Sequence, residues 1–324
     1  MEEKNFNIIN NNYQNKKGPL SNLSPIAFIF LSLSAVFFLY QIVGGAISYF
    51  LLGAEMEISA ENLNLTRLIL TFAQFMFILF PAVMLVMLQD NNIKETFRLY
   101  KPKIPVFIFA VIGILVIQPF LQVYLYYQNE LIFNLPFGKE FINQMKELFD
   151  LLESTTAKLV QANSFPEFLT VLVVIAVTPA ICEEFLFRGL VFKNFEKVIP
   201  VSKAIFFTGL LFALFHFHPF NIIPLTVLGI FLTFIVYHSG SIYTSVVCHF
   251  INNFISALAV YIYGTQSLES VGSPDMTTEE KIQFTLLGFI SLAVFISVII
   301  LIKKHSITKD TKEIKINIPP AANG

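Results

Sequence analysis

The sequence predicts an all-α fold: a polytopic membrane helix bundle of about eight transmembrane helices with both termini cytoplasmic. Three observations carry that expectation: the balance of apolar to charged residues, the lengths of the apolar runs, and the uneven placement of Lys and Arg. Of 324 residues, 55% are hydrophobic and 13% charged, whereas a soluble domain runs near about 45–50% apolar and about 25% charged. The formal net charge is −1, and no basic block gives a footprint for nucleic acid. Cys182 and Cys248 both lie inside apolar runs, which argues against a disulfide framework.

A spanning helix needs about 20 apolar residues, because the hydrocarbon core is roughly 30 Å thick and each residue rises about 1.5 Å. In order, the candidate spans are Ile26–Leu52, Leu68–Leu88, Ile104–Tyr127, Phe168–Phe192, Ala204–Phe217, Ile222–Tyr237, Ile242–Tyr263 and Phe284–Ile302. The first is too long for a signal peptide and no small-residue cleavage pattern follows it. The fifth and sixth are short, which implies tilt or a break around His218-Pro219. Between the third and fourth spans, Phe141, Ile142, Met145, Leu148, Phe149 and Leu152 recur at helical spacing. That pattern fits an amphipathic helix on the outer membrane surface, or a helix packed against the other spans.

Orientation follows from the loops. With the N-terminus inside, sixteen of the 21 Lys and Arg fall inside: Lys4, Lys16, Lys17, Lys94, Arg98, Lys101, Lys103, Arg188, Lys193, Lys197, Lys203, Lys303, Lys304, Lys309, Lys312 and Lys315. Arg67, Lys139, Lys146, Lys158 and Lys281 fall outside. The outer loops are acidic, with Glu55, Glu57 and Glu61 in the first and Glu269, Asp275, Glu279 and Glu280 in the last. The chain therefore divides into a polar tail (1–23), N-terminal spans with the amphipathic segment (24–164), a core (165–263), an outer loop with the last span (264–302) and a second polar tail (303–324). Both tails are expected to be mobile. The expected location is a cell membrane, multi-pass, specifically the bacterial cytoplasmic membrane.

Ionisable side chains within the bilayer cost at least a few kcal/mol each and are functional candidates by default. They cluster in three places: Glu183, Glu184 and Arg188 on the fourth span, His216 on the fifth with His218 just beyond, and His249 with Asn252 and Asn253 on the seventh. At about 100° per helical residue, Glu184 and Arg188 are only about 40° apart and can pair. Glu183 lies about 140° from Arg188, so it is desolvated with less compensation, as suits a general base. The alternative is one ion cluster at the cytoplasmic end of the span. His216 shares a face with Phe212, and His249 with Asn253. Either histidine could instead be a hydrogen-bonded core residue, and the Asn pair could tie spans together. Asn252 competes with Asn253 for the same role. Pro179 removes a backbone donor and is expected to kink the fourth span, freeing a carbonyl and admitting water. The alternative is a plain packing kink.

These residues resemble the membrane endopeptidases related to CAAX prenyl proteases and to bacteriocin-processing or immunity proteins. The pattern is carried by Glu183, Glu184 and Arg188 followed by Gly189, by Phe212 with His216, and by His249 with Asn253; the run Ser239-Gly240-Ser241-Ile242 also resembles the family. The resemblance covers roughly residues 165–260 and implies a peptide-bond hydrolase of the glutamic type working inside the membrane. It implies that Glu183 and His216 activate water, that His249 and Asn253 stabilise the oxyanion, and that Glu184 and Arg188 support the site. No cofactor is expected, although zinc held by Glu183, His216 and His249 stays open. The implied partners are membrane lipids and a membrane-associated or lipidated peptide or protein, with no nucleic acid. The residues select no substrate-binding group, leave His218 without a role, and read Cys182 and Cys248 as small apolar residues rather than thiol ligands.

There is no HExxH zinc motif, no glycine-flanked serine nucleophile, and no aspartate within a proposed span. Two other classes compete with the hydrolase: a proton-coupled transporter, since intramembrane Glu and His also form proton relays, and a non-catalytic membrane scaffold or immunity protein. A carrier usually shows repeated, interrupted spans in both halves, whereas here the polar groups lie only in the second half.

Overall fold

The computed structural model describes residues 18–52, 58–59, 61–134, 138–265 and 276–306. It is all-helical and holds seven helices long and apolar enough to cross a membrane. We label them with the shorter helices in chain order: α1 (Pro25–Leu52), α2 (Leu63–Leu88), α3 (Ile104–Phe133), α4 (Lys139–Val160), α5 (Phe165–Phe195), α6 (Val201–Leu214), α7 (Pro219–Ser239), α8 (Ile242–Tyr263) and α9 (Thr278–Lys304).

Among the described residues seven helices, rather than about eight, qualify as candidate spans. The fifth expected span is the 14-residue helix α6, about 21 Å long at about 1.5 Å per residue, short of the roughly 30 Å core. It stops because Phe217 adopts a left-handed backbone at φ 48° and Pro219 opens a separate one-turn 3-10 segment, Pro219–Asn221. The span starting at Ile104 runs six residues beyond its expected end, to Phe133.

The described residues at the inner edges of both expected tails contact the bundle. Leu20 donates its N–H to Leu88 O at 3.0 Å, and Ser24 caps α1, with Pro25 at its first position. At the other end α9 continues to Lys304, and Ser306 Oγ sits 2.7 Å from His238 Nδ1 on α7. Residues 1–17 and 307–324, and the loop acids Glu55, Glu57, Glu269 and Asp275, lie outside the described residues.

The segment expected to be amphipathic is helical, as α4. Its N-terminal part is exposed at Phe141, whereas Val160 packs with Phe168, Val171, Ala257 and Val260 of α5 and α8; the side chains of Leu148, Phe149 and Leu152 lie outside the described residues. What ties α4 down is Arg67, only 1% exposed. Its guanidinium donates to Leu159 O (3.1 Å), Gln161 O (2.5 Å), Asn64 Oδ1 (3.2 Å) and Glu167 Oε1 (3.0 Å). One cation thus fastens the start of α2 to the end of α4 and the start of α5. An arginine serves here because its five donors form a rigid fork that several oxygens can share.

Two close approaches set the rest. α6 crosses α7 at Gly209 and Gly229, where a Cβ on Gly209 would lie 2.5 Å from Ile230 N and one on Gly229 would lie 2.7 Å from Gly209 O. Helix backbones come this near only where small residues meet. α9 packs along α3, and α8 occupies the middle of the bundle against α3, α5 and α7. At the end rich in Lys and Arg, Gln89, Asn194, Asn91 and Lys197 form a hydrogen-bonded group. Burial, and then the neighbouring Lys193, push the pKa of Lys197 down.

Arg67→Ala is expected to lower stability by about 3 kcal/mol, the low end for breaking a buried ion pair, because Glu167 keeps some contact with solvent. Limited proteolysis should then cut within α4. Unchanged thermal stability and protease resistance would show that α4 is held by its apolar contacts alone.

Candidate active site

The site is assembled from α5, α8, α7 and the end of α6. In α5 the seven-residue α-helical stretch Thr178–Glu184 lies between two wider π-helical stretches, Val173–Val177 and Phe185–Val191. Such wide turns recur at functional sites because they reorient the side chains that follow. Pro179 supplies no N–H, so it cannot bond the carbonyl of Ile175 as an ordinary residue four positions on would. Asn253 Nδ2 of α8 donates to that carbonyl instead, at 3.0 Å. The carbonyl expected to be freed by Pro179 is therefore used to dock α8 on α5.

Glu184 and Arg188 are both fully buried and pair as expected, with Arg188 Nη1 donating to Glu184 Oε1 at 2.7 Å. The same carboxylate oxygen accepts from His249 Nδ1 at 2.8 Å. Arg188 Nη2 donates to Gly229 O at 3.2 Å, and the guanidinium carbon lies 4.3 Å from the centre of the Phe212 ring. Gly189, next in sequence, is covered by Phe97: a Cβ there would fall 2.1 Å from that ring. Glu184 and Arg188 thus connect α5, α7 and α8 without opening onto the cavity.

Glu183 points the other way. Its Oε2 is buried and has no hydrogen-bond partner, and lies 3.8 Å from His216 Nε2 and 4.0 Å from His249 Nε2. His216 Nδ1 is 2.7 Å from Phe212 O. That carbonyl can only accept, so Nδ1 carries the proton, and in the neutral ring the lone pair on Nε2 faces Glu183. By the same logic His249 Nδ1–H donates to Glu184, and its Nε2 faces the cavity.

That cavity measures about 260 Å³. One wall is polar, formed by Glu183, His216, His249, Asn252, Asn253 and Ser256; the other is apolar, with Ile114, Ile175, Phe212, Leu225, Leu228 and Leu232. The structure therefore brings together the six residues to which the resemblance gives roles, four on the cavity and two behind it. Asn252 does not displace Asn253 but donates to its Oδ1 at 3.1 Å. His218 does not line the cavity; its Nε2 lies 3.3 Å from Asn221 Nδ2. Cys182 and Cys248 are free and buried in the apolar core.

Sequence reasoning missed Gln118, which donates to Asn252 Oδ1 at 3.0 Å, and the Gly229 carbonyl. The first had a readable signal, an amide in the middle of an apolar span; the second had none, since any residue supplies a carbonyl. For zinc, nitrogen and oxygen ligands would have to converge to about 2.0–2.2 Å of one point. Among the described residues no group of three His, Cys, Asp or Glu side chains is placed to hold a metal ion.

Residues 165–255 match the family described as Type II CAAX prenyl endopeptidase Rce1-like, so this part of the chain is similar to an Rce1-like domain. The matched segment is under a third of the chain and contains every acidic, basic and amide residue on the cavity wall. Comparisons with curated proteins and with solved structures found no match. The family implies a CAAX-type intramembrane protease acting on a protein substrate, here within a multi-pass membrane protein.

Removing one partner of a fully buried ion pair leaves the other charge uncompensated, at a cost of about 3–5 kcal/mol. Arg188→Ala is therefore expected to lower the thermal midpoint in detergent sharply. Glu183→Gln should leave it unchanged or higher, because Glu183 Oε2 has no partner to lose. Equal destabilisation by both would contradict the division of labour between the two glutamates.

Proposed function

We propose that the chain is an integral-membrane endopeptidase that hydrolyses a peptide bond of a membrane-associated or lipidated peptide or protein, using a water activated by Glu183 and His216. The observation that carries this reading is the unpartnered Glu183 oxygen, facing two imidazole nitrogens within 4.0 Å across the polar wall of a 260 Å³ cavity.

In the proposed reaction a water bound between Glu183 Oε2 and His216 Nε2 attacks the scissile carbonyl carbon. The new C–O bond forms as the water proton passes to the Glu183–His216 pair, and the carbonyl electrons move onto oxygen. His249 Nε2–H and an N–H of Asn253 stabilise that oxyanion. Collapse breaks the C–N bond, and the stored proton goes to the departing amine. With Nδ1–H given to Glu184, the role assigned to His249 requires its Nε2 to carry a proton toward the oxyanion. The apolar wall of Ile114, Leu225, Leu228 and Leu232 suits an apolar side chain of the bound peptide.

A positioned base contributes typically 10²–10⁴-fold and an oxyanion donor about 10²–10³-fold in kcat. Glu183→Ala, His216→Ala and His249→Ala are therefore each expected to reduce cleavage of a lipidated reporter peptide by at least roughly 100-fold while the protein still folds. Full activity in any of the three refutes the assignment, and substrate flux across vesicles without peptide cleavage points to a carrier instead. Stripping with a strong chelator is expected to leave the rate unchanged. Loss restored by stoichiometric zinc would turn Glu183, His216 and His249 from acid–base groups into ligands.

A further inference from the structure

An oxyanion donor works only if the correct end of its side chain faces the substrate. An asparagine amide has two ends of nearly equal shape, one donating and one accepting. On Asn253 the choice is made by the Ile175 carbonyl at one end and by a chain of amides at the other, which begins on α3, outside the matched segment. Gln118 Nε2 donates to Ile114 O at 2.9 Å and to Asn252 Oδ1 at 3.0 Å. Asn252 Nδ2 donates to Asn253 Oδ1 at 3.1 Å, and Asn253 Nδ2 donates to Ile175 O at 3.0 Å.

Both ends of this chain are backbone carbonyls, which only accept, so the donor ends of Gln118 and Asn253 must face them. The two NH₂ protons of Gln118 are then spent on Ile114 O and Asn252 Oδ1. With its oxygen held by Gln118, Asn252 offers N–H to Asn253. With its oxygen held in turn by Asn252, Asn253 offers one N–H to Ile175 O and keeps the other for the cavity that it lines. If Asn252 turned over, its oxygen would face Asn253 Oδ1, two acceptors in contact, and would favour turning that amide as well.

We propose that Gln118 is a positioning residue: acting through Asn252, it sets which end of the Asn253 amide faces the cavity. It neither touches the reacting atoms nor belongs to the matched segment, and its role rests on the hydrolase reading given above. The placement explains why a strongly polar side chain stands in the middle of an apolar span whose neighbours Ile114 and Ile117 are buried core residues. In hydrocarbon an amide is retained where all its donors are used.

The test is a double-mutant cycle on the full chain in proteoliposomes, using lipidated, quenched-fluorescent reporter peptides that the unmodified protein cleaves. Gln118→Met keeps length and removes the donor. It is expected to lower kcat roughly tenfold, a fraction of the about 10²–10³ lost with a whole oxyanion donor, and to leave KM within about twofold. In the Asn253→Ala background it is expected to cause no further loss, because Asn253 is the residue through which it acts. Asn252→Leu, which interrupts the chain one step later, should show the same pattern and decides the matter if Gln118→Met does not fold. Unchanged kcat in the single variants, or the same fold-loss repeated on top of Asn253→Ala, overturns the proposal. Glu183→Ala, run alongside, separates the two claims: if it still cleaves, the hydrolase reading fails. If it is inactive while Gln118→Met and Asn252→Leu behave as the unmodified protein, only the amide chain is wrong.

Discussion

One carboxylate oxygen organises the site. Glu184 Oε1 accepts from Arg188 Nη1 and from His249 Nδ1, and Arg188 passes the connection to the Gly229 carbonyl. Buried charge is tolerated only where it is paired and hydrogen-bonded, and at this site the pairing joins Glu184 to Arg188 and His249. Glu183, one residue earlier, is left with an unpartnered oxygen at the cavity.

The helices are shaped to make that arrangement possible. The Gly209–Gly229 crossing brings α6 near enough to α7 for the Phe212 ring to lie under the Arg188 guanidinium and beside both imidazoles, with ring centres 4.6 Å from His216 and 5.8 Å from His249. The early end of α6 carries His216 on a turn rather than on a continuing helix, so its ring reaches the cavity while His218 does not. Pro179 withdraws a donor from α5 and Asn253 answers it from α8. The donor missing at Pro179 and the early end of α6 thus each bring a side chain, Asn253 and His216, to the cavity wall that holds Glu183.

Much of the site was legible because its parts are costly in a membrane. Glu183, Glu184, Arg188, His216 and His249 stand out against apolar runs, and the four-residue spacing of Glu184 and Arg188 indicates their pairing directly. What was not legible depends on irregular backbone or on contacts distant in sequence. The wide turns on either side of Glu183 leave no pattern in composition, and the left-handed Phe217 shortens a run that hydropathy extends to the same residue. Arg67 read as a loop cation, although it is one of the most buried side chains in the bundle. Gln118 was overlooked because a single amide in a long apolar span carries no charge to mark it.

The account rests on Glu183 acting on water and not attacking the substrate itself. A single turnover in water carrying the heavy oxygen isotope distinguishes the two most directly. Attack by water on the scissile carbonyl places the label in the new carboxylate of the peptide product and leaves Glu183 unlabelled. Unlabelled product with the isotope in the Glu183 side chain would contradict it, since that pattern requires a covalent anhydride between enzyme and substrate.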